Sequence, residues 1–409
     1  MNTLLLLGFL VFIGYFMGRL CETLGIPKII GYIFTGILFS PNTLSWTSSD
    51  FITNTESLLS ISLAFITFEV GGELKWSKLK KRERDIFSIT AMASAVPLVL
   101  ITGLFFLTAS LFPGYLPFSD LSVIFAFSIL LAALASPTDP TATLAVIHQY
   151  KAKGKVKDTI LGVAALDDAI GIFVFSLGIA FSSFLLQESG NLQQSLYFAT
   201  HHIGGGILVG IGAAIIMNIF LYNSNKIKGE GNWIIITLSL IAMCYGAAAY
   251  FEVDELLACM LMGLIVVNTS ENHKLVFDTL ERYTEELIFL FFFVLSGLQL
   301  NVQMIPQALL PITVFVLLRI IGKYSGCYLG GSFVNSEAKI KKYTAGGLIS
   351  QGGIVIGLVL LLNQYEVFSE FYDILLAVVM GSVIINEIIG PLTARHSLKQ
   401  AGETSGENQ

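Results

Sequence analysis

The 409-residue sequence contains 54% hydrophobic and only 13% charged residues, and its mean hydropathy is +0.76. Soluble domains carry about 25% charged residues. This composition therefore excludes a soluble globular protein and indicates a polytopic membrane protein that is mostly surrounded by lipid. The formal net charge of −6 says less than the positions of the charges along the chain.

Polar clusters divide the sequence into 13 apolar stretches. A helix that crosses the hydrocarbon core needs roughly 20 apolar residues, so we predict an all-α fold with 13 transmembrane helices. The first stretch lacks a basic segment and a cleavage site and is expected to remain as a helix. The predicted helices cover residues 3–24, 28–42, 56–74, 86–112, 119–149, 158–187, 197–222, 231–251, 253–270, 284–300, 305–332, 342–363 and 368–394.

The basic residues follow a strict pattern. Every Lys and Arg except two lies in or at the edge of an odd-numbered connection, or after the last helix, and the even-numbered connections contain none. Because basic connections stay on the cytoplasmic side, we predict a multi-pass inner-membrane protein with its N-terminus outside and its C-terminus in the cytoplasm. The two remaining basic residues, Arg319 and Lys323, lie within the eleventh predicted helix.

Predicted helices 1–6 and 8–13 form two halves of opposite topology, with helix 7 as the linker. The fifth helix of each half is interrupted. Helix 5 contains Ser136-Pro137-Thr138-Asp139-Pro140, and helix 12 contains glycines and polar residues between 346 and 353. Either break alone is also compatible with a simple kink. Interrupted helices at matching positions of inverted repeats indicate the binding site of a transporter.

Adjacent acidic residues, Asp167 and Asp168, lie within the apolar sixth helix. An ionisable group near the bilayer centre costs about 2.5–3.5 kcal/mol on insertion scales and is therefore a functional candidate. Neighbouring residues of a helix point about 100° apart. One carboxylate can thus face a cation pathway while the other faces a neighbouring helix, although a buried Asp can also pair with a Lys for structural reasons alone.

The break in helix 5 carries Thr138 and Asp139. Pro137 and Pro140 lack backbone donors and leave carbonyl groups of the preceding turn unbonded. These carbonyls and the carboxylate of Asp139 together suit a hard cation such as sodium. Asp139 also fits the N-cap of the second half-helix, and both interpretations remain open at this stage.

Arg319 and Lys323 are four residues apart and share one face of helix 11. One of them is expected to neutralise an aspartate of helix 6 when no cation is bound. The alternative is that the side chains extend to the inner membrane surface. Glu69, Glu73 and Glu387 are further acids in apolar surroundings, and we do not rank them with the site.

Several separate motifs resemble those of the monovalent cation:proton antiporter family 2, with its Kef-type and NapA-like bacterial sodium/proton antiporters. The resemblance covers nearly the whole chain. It implies a dimerisation domain and a core domain with two crossed, discontinuous helices, here helices 5 and 12. The motifs are LGIPKIIGYIFTGILFSP (24–41), LAFITFEVGGEL (63–74), ASPTDPTATLAV (135–146), ALDDAIGI (165–172), DELLACMLMGLIVVN (254–268), FFFVLSGLQL (291–300), RIIGK (319–323) and NEIIGP (386–391).

The resemblance also assigns roles to residues. Asp168 matches the aspartate that carries either the cation or a proton, and Asp167 matches the partner of a lysine in helix 11. We place that lysine at Lys323, with Arg319 as the second choice. Thr138 and Asp139 match the broken-helix site, with Asp139 and Asp168 as the expected ligands of the transported sodium ion. Ser350 and Gln351 lie in the break of helix 12, where the potassium branch commonly has Arg-Gly-Glu.

The expected function is secondary active antiport by alternating access. Sodium ions (or lithium ions) and protons compete for one carboxylate, and a crossing with the bare charge is disfavoured by the insertion cost. If Lys323 also loses a proton when sodium displaces its contact with Asp167, two protons move per sodium ion, and the exchange is electrogenic. Potassium/proton exchange on the same scaffold is the alternative.

Other classes of function fit less well. An intramembrane aspartyl protease also needs two membrane aspartates, such as Asp139 and Asp168, but the sequence has no GxGD motif. A channel is the remaining alternative. We expect no enzymatic activity, no cofactor and no nucleic-acid partner.

For the chain's organisation, we expect one transmembrane exchanger domain over residues 1–399 and a disordered cytosolic tail over 400–409. The partners are membrane lipid and a second copy of the chain in a homodimer. Gly14 and Gly18 form a GxxxG motif that predicts a dimer face.

Overall fold

A computed structural model describes residues 3–112, 114–186, 192–224, 227 and 229–404, apart from the side chains of 49, 78, 79, 81 and 192–199. The α-helices in chain order are α1 (Thr3–Thr23), α2 (Lys28–Phe39), α3 (Ser49–Glu73), α4 (Trp76–Leu79), α5 (Glu83–Leu111), α6 (Leu121–Ala133), α7 (Pro140–Gln149), α8 (Lys155–Leu186), α9 (Leu192–Tyr222), α10 (Glu230–Tyr250), α11 (Glu255–Thr269), α12 (Lys274–Tyr283), α13 (Glu285–Gln299), α14 (Ile305–Phe333), α15 (Ala338–Tyr343), α16 (Gly353–Leu361) and α17 (Ser369–Ala401).

Among the described residues, eight helices are long and apolar enough to cross a membrane, or nine if one bent pair counts as a single span. Three shorter apolar helices, α2, α6 and α11, accompany them. The predicted all-α polytopic membrane architecture is therefore confirmed.

The chain divides into two compact units. Unit 1 comprises Met1–Trp76 and Leu196–Val302, and unit 2 comprises Ser77–Ser195 and Gln303–Gln409. The segment predicted as one domain, residues 1–399, thus contains parts of both units. The residues that the sequence singles out for ion binding all belong to unit 2.

In unit 1, one face of α1 is buried. Its buried face comprises Leu6, Leu10, Gly14 and Gly18. A Cβ atom on Gly18 would lie 2.3 Å from the ring of Tyr32, and one on Gly14 would lie 3.0 Å from Val294. The prediction that Gly14 and Gly18 form a dimer face is therefore wrong, because both glycines pack against α2 and α13 of the same chain.

Two other elements of unit 1 differ from the predicted spans. Helix α3 begins at Ser49, seven residues before the predicted start, because the Ser48 side chain caps it by accepting the Phe51 N–H. Helix α12 lies in a segment predicted as a connection. It is amphipathic and buries Val276, Thr279 and Leu280, so a search for continuous apolar stretches misses it.

In unit 2, α14 packs closely along α5. Three of its glycines are spaced four residues apart, which lets the two backbones approach. A Cβ atom on any of them would lie 2.4–2.8 Å from an α5 backbone atom, at the pairs Gly322–Pro97, Gly326–Met92 and Gly330–Ser88. This packing fixes the part of α14 that carries Arg319 and Lys323.

Both interruptions that the sequence predicts are present in unit 2. Helix α6 ends at Ala133 and α7 begins at Pro140, with a non-helical segment between them. In the second span, α15 continues as a 3₁₀ turn to Leu348, and after residues 349–352 the chain resumes as α16. The two halves of this second span are bent by 59°. The breaks expose main-chain carbonyls and amides inside the unit.

Helix α17 runs seven residues past its predicted end and stops at Ala401, where Gly402 adopts a left-handed conformation with φ of 74°. Residues 400 and 401 of the predicted tail therefore belong to this helix. Residues 405–409 lie outside the described part of the chain, as do the predicted cytoplasmic residues Lys226 and Lys228.

Candidate ion-binding site

Unit 2 brings the predicted site residues together from four segments. Helix α8 supplies Asp167 and Asp168, and α14 supplies Arg319 and Lys323. The first break supplies Thr138 and Asp139, and the second supplies Ser350 and Gln351. All eight side chains are buried, with Asp168 6% and Asp139 9% exposed.

Lys323 forms a buried ion pair with Asp167. Its Nζ atom lies 2.7 Å from Asp167 Oδ2 and donates to the carbonyl of Ser136 and to Thr138 Oγ1 at 3.1 Å. Thr138 Oγ1 in turn donates to Asp167 Oδ2 at 2.7 Å. The ammonium group thus joins α14 to α8 and to the first break at one point.

Arg319, one turn earlier on α14, binds a different kind of partner. Its Nε donates to the carbonyl of Ala135 at 3.0 Å, and its Nη atoms donate to those of Pro137 at 2.9 Å and Ile349 at 2.6 Å. Longer contacts reach the carbonyls of Leu348 and Ser350. Within the described residues it forms no ion pair. Arg319 therefore holds the carbonyls of both breaks, where the half-helix ends carry partial negative charge.

Asp168 lies beside the same break on an adjacent side of α8. Its Oδ1 atom accepts the main-chain N–H of Thr138 at 3.2 Å. Thr138 therefore contacts both aspartates, Asp168 through its backbone and Asp167 through its hydroxyl. The 100° offset expected of neighbouring helix residues thus separates a carboxylate that pairs with the lysine from one that faces the backbone of the break.

Asp139 caps α7. Its Oδ1 atom accepts the Thr141 N–H at 2.7 Å and the Thr141 hydroxyl at 2.6 Å. Its own N–H donates to the carbonyl of Ser350 at 3.2 Å, so the two breaks are joined directly. The capping interpretation of Asp139 is confirmed, and ligation of a cation by the same side chain stays a prediction.

Gln351 links the breaks to α17. Its Nε2 atom donates to the carbonyl of Leu134 at 2.7 Å, and its Oε1 atom accepts from Asn386 at 2.9 Å and Ser382 at 3.3 Å. Sequence reasoning did not place Asn386 or Ser382 at the site. The available signal was their polarity within an otherwise apolar helix.

Ser136 is a further residue that the sequence placed only in the break, without a partner. Its hydroxyl donates to Ser94 of α5 at 2.6 Å and faces the carbonyl of Asp167. Its own carbonyl accepts from Lys323. Ser136 therefore helps to fix the break against both α5 and α8.

At the end of unit 2 where α8 begins, basic and acidic side chains meet. Lys155 forms an exposed ion pair with Glu337. Its hydrogen bond holds the pKa of the Glu337 carboxyl below its usual value. Lys339 donates to the carbonyl of Ala401 at 2.7 Å, so the ends of α8, α15 and α17 lie together on the side predicted to be cytoplasmic.

Comparison with known proteins assigns this arrangement to a family. The sequence model described as "sodium/hydrogen exchanger, transmembrane" matches residues 8–395. The chain belongs to the sodium/hydrogen exchanger family. The exchanger is 24% identical to a Na(+)/H(+) antiporter of Enterococcus hirae over 92% of its own length and 93% of the relative's. It is 21% identical to the Na(+)/H(+)-K(+) antiporter GerN of Bacillus cereus over 83% and 82% of the two chains.

The fold of the exchanger is also shared with a solved structure. The sodium proton antiporter MjNhaP1 from Methanocaldococcus jannaschii matches 98% of each chain with a TM-score of 0.74 and 19% identity. The predicted resemblance to cation:proton antiporters is confirmed, and family membership makes the protein a membrane transporter that exchanges a monovalent cation for protons.

Proposed function

We propose that the exchanger moves sodium ions, and also lithium ions, against protons across the bacterial inner membrane, with its N-terminus outside and its C-terminus in the cytoplasm. The observation that carries this proposal is that two neighbouring carboxylates have different partners. Asp167 holds Lys323 at 2.7 Å, and Asp168 accepts the main-chain N–H of Thr138 at the break. The Na(+)/H(+) antiporter relatives support sodium as the ion.

In this proposal, Asp168 carries either sodium or a proton. A crossing with a bare carboxylate is disfavoured by its insertion cost of at least about 2.5–3.5 kcal/mol. The unit that carries the site therefore switches from facing one side of the membrane to facing the other only when Asp168 has bound sodium or a proton. Obligatory loading with one of two competing ions is what makes the transport an exchange, by alternating access.

The ion pair of Lys323 adds a coupled charge. When sodium reaches the aspartates, it weakens the hold of Asp167 on Lys323, and the lysine releases its proton. Two protons then leave for each sodium ion, and transport is electrogenic. Thr138 supports this coupling because it contacts Asp167 and Lys323 through its hydroxyl and Asp168 through its N–H.

The finer architecture belongs to the same proposal. We propose 13 spans, namely the eight long helices, the short helices α2, α11 and α13, and two broken helices formed by α6 with α7 and by α15 with α16. We also propose two inverted repeats with crossed breaks. Hydrogen bonds between the breaks support the crossing. We also propose that the exchanger works as a homodimer in lipid.

Exchange in proteoliposomes tests the proposal. With a pH-sensitive dye inside and an imposed proton gradient, addition of sodium or lithium should move protons through the wild type. Asp168→Asn should abolish this movement, since the amide retains the shape but cannot titrate. Asp158→Asn, an exposed acid on the same helix, is the matched control and should transport normally. Sodium-driven proton movement at the wild-type rate in Asp168→Asn would remove Asp168 from its role.

Potassium/proton exchange is the second candidate function. One observation favours it, namely the similarity to the Na(+)/H(+)-K(+) antiporter GerN. Adding potassium, sodium and lithium in separate runs of the same assay decides between the two. If potassium alone drives proton movement, then potassium and not sodium is the substrate, and the role of Asp168 is unchanged.

A further inference from the structure

A group of buried oxygen atoms without hydrogen-bond partners lies where the second break packs against α17. Glu387 is 1% exposed, and Asn386 and Ser350 are fully buried. Among the described residues, both carboxylate oxygens of Glu387, Oδ1 of Asn386 and Oγ of Ser350 have no hydrogen-bond partner. We call these three residues and the neighbouring Asp139 the Glu387 cluster.

Two close approaches bring the cluster together. A Cβ atom on Gly390, one turn after Asn386 and Glu387, would lie 1.9 Å from Ser350 Oγ. A Cβ atom on Gly352 would lie 2.9 Å from Asp139 Oδ2. Both glycines thus let the second break lie directly against α17 and Asp139. The hydrogen bond from Asn386 to Gln351 ties α17 to the same break.

The charges of the cluster are not balanced. Asp139 and Arg319 are the charged groups that interact electrostatically with Glu387. The main-chain N–H of Gln351 also interacts with Glu387, but outside hydrogen-bond geometry. Every hydrogen bond of Arg319 goes to a main-chain carbonyl, so none neutralises Glu387 directly.

The charge deficit extends to the whole buried site. Four carboxylates face only two basic groups, which leaves two negative charges uncompensated when all are ionised. The carboxylates are Asp139, Asp167, Asp168 and Glu387, and the basic groups are Arg319 and Lys323. Because an uncompensated buried charge is strongly unfavourable, the site needs two additional positive charges. Asp168 accounts for one in the proposed function, and the second belongs elsewhere.

A cation satisfies the Glu387 cluster better than the alternatives. A water molecule could donate hydrogen bonds to the oxygens but would leave the charge unchanged. A proton on Glu387 would neutralise that carboxyl but would serve only one of the remaining acceptors. A hard monovalent cation neutralises the charge and is bound by several oxygens at once, as carboxylate and carbonyl oxygens bind hard cations elsewhere.

We propose that Glu387, Asn386 and Ser350, with Asp139 alongside, form a second binding position for a dehydrated monovalent cation in the same unit as Asp168. The proposal rests on the proposed function only for the identity of the ion, which we take to be sodium. The second position holds an ion on its route to or from Asp168, and its occupancy neutralises the second buried charge.

Equilibrium sodium binding tests the proposal without transport. A ligand that binds only the folded protein raises its Tm, so thermal unfolding of the full chain in detergent is followed with sodium chloride replacing choline chloride at constant ionic strength. Asp168→Asn should keep part of the sodium-dependent rise in Tm. Asp168→Asn combined with Glu387→Gln should lose it. Glu387→Gln alone should bind roughly half as much radioactive sodium at saturation as the wild type.

Two further variants serve as controls. Glu370→Gln, an exposed acid in the first turn of the same helix, should leave sodium binding unchanged in the wild-type and Asp168→Asn backgrounds. Ser350→Ala removes one oxygen at little cost in packing. When it is added to Asp168→Asn, the sodium concentration that gives half of the residual rise in Tm should increase by about tenfold. Ser350→Ala also covers the case in which Glu387→Gln does not fold.

The outcomes separate this proposal from the proposed function. If Asp168→Asn shows no sodium response while the wild type exchanges sodium for protons, the second position is refuted and the function stands. The second position is also refuted if adding Glu387→Gln to Asp168→Asn leaves the residual sodium response intact, since water or a proton then occupies the cluster. If potassium, and not sodium, produces the residual response, the second position stands and sodium is the wrong ion.

Discussion

Arg319 and Lys323 lie on one face of α14, one turn apart, yet they bind different kinds of partner. A guanidinium group presents five donors in a fixed plane, whereas an ammonium group is a compact point charge. Arg319 accordingly spans carbonyls of both breaks, and Lys323 concentrates on the carboxylate of Asp167. Their spacing alone could not distinguish these roles, because i,i+4 places both on the same face.

A double-mutant cycle measures the pair formed by Asp167 and Lys323. Lys323→Gln should cost about 3–5 kcal/mol of stability, since it leaves a buried carboxylate without its partner. Asp167→Asn combined with Lys323→Gln should cost less than the sum, with a coupling of about 0.5–3 kcal/mol. The measurement is unfolding in detergent for the wild type, both single variants and the double variant. Simple additivity would contradict the pair and the two-proton coupling that depends on it.

Transport by Asp167→Asn provides the functional side of the same prediction. Sodium uptake should continue at a reduced rate but should no longer respond to an imposed membrane potential, because the lysine has lost the partner that couples its proton to sodium. Arg319→Gln is the comparison. This change should destabilise the breaks. Its coupling energy with Asp167→Asn should be smaller than that of Lys323→Gln, since Arg319 interacts with Asp167 electrostatically and not through a hydrogen bond. Unchanged voltage sensitivity in Asp167→Asn would argue against the assignment.

At the scale of elements, the breaks depend on glycines that let helices approach them. Gly171 of α8 faces Pro137 of the first break, where a Cβ atom would lie 2.4 Å away. A Cβ atom on Gly390 of α17 would lie 1.9 Å from Ser350 Oγ and 2.8 Å from the Ser350 backbone nitrogen in the second break. Because backbone and ring atoms cannot rotate away as a flexible side chain can, a methyl group at either glycine must displace the break.

Replacement of these glycines gives a matched comparison. Gly390→Ala should lower stability by about 1–3 kcal/mol, the usual range for overpacking, and should impair exchange because the second break moves. Gly103→Ala, within α5 of the same unit, meets no atom within 4 Å and should be neutral or stabilising by up to about 1 kcal/mol. Unfolding and exchange are measured for both variants. Equal effects at the two sites would show that helix propensity, and not contact with the break, governs the result.

The sequence predicts the elements with strong local causes. Pro137, Pro140 and the glycines near 350 indicate both breaks, because they remove donors or permit unusual backbone. The adjacent Asp167 and Asp168 indicate the site because charge is costly in lipid. Helix α12 and the extension of α17 to Ala401 are missed, since both are polar segments whose helicity depends on tertiary contacts.

The same limit applies to the site. The presence of Arg319, Lys323 and the aspartates is predictable, whereas the pairing of Lys323 with Asp167 depends on distances that only the packing of α14 against α5 sets. The polarity of Asn386 marks it within its helix, but its partner is not predictable from that helix, because Gln351 lies in a break far away in sequence.

At the scale of the whole molecule, the distribution of basic residues predicts the orientation. Ala338 lies at the end of unit 2 predicted to be cytoplasmic. Ser119 lies between α5 and α6, at the edge of the even-numbered fourth predicted connection, and both residues are exposed. Ala338→Cys should react with a membrane-impermeant maleimide only in inverted vesicles, and Ser119→Cys only in right-side-out vesicles. Cys21→Ser provides the background, since Cys244, Cys259 and Cys327 are buried. The reversed labelling pattern would invert the proposed topology.

The C-terminal segment closes unit 2 at that same end. The carboxylate of Glu403 accepts the N–H groups of Val156 and Lys157, each at 2.8 Å, and its carbonyl accepts the Lys153 N–H at 2.9 Å. These amides belong to the first turn of α8 and the residues before it, where a helix presents unbonded N–H groups and partial positive charge. Glu403 therefore attaches the end of α17 to the helix that carries Asp167 and Asp168.

Removal of this attachment should destabilise the protein as loss of an N-cap does. Glu403→Ala should cost about 0.5–2 kcal/mol, and Glu337→Gln, which removes only an exposed ion pair with Lys155, should have little effect. Gly154→Ala offers an independent route, because its Cβ would lie 2.2 Å from the Glu403 carboxyl carbon and should displace that side chain. Since both changes remove the same contact, Gly154→Ala and Glu403→Ala together should cost less than the sum of the single changes. Full additivity in thermal unfolding would show that Glu403 and the start of α8 are energetically independent.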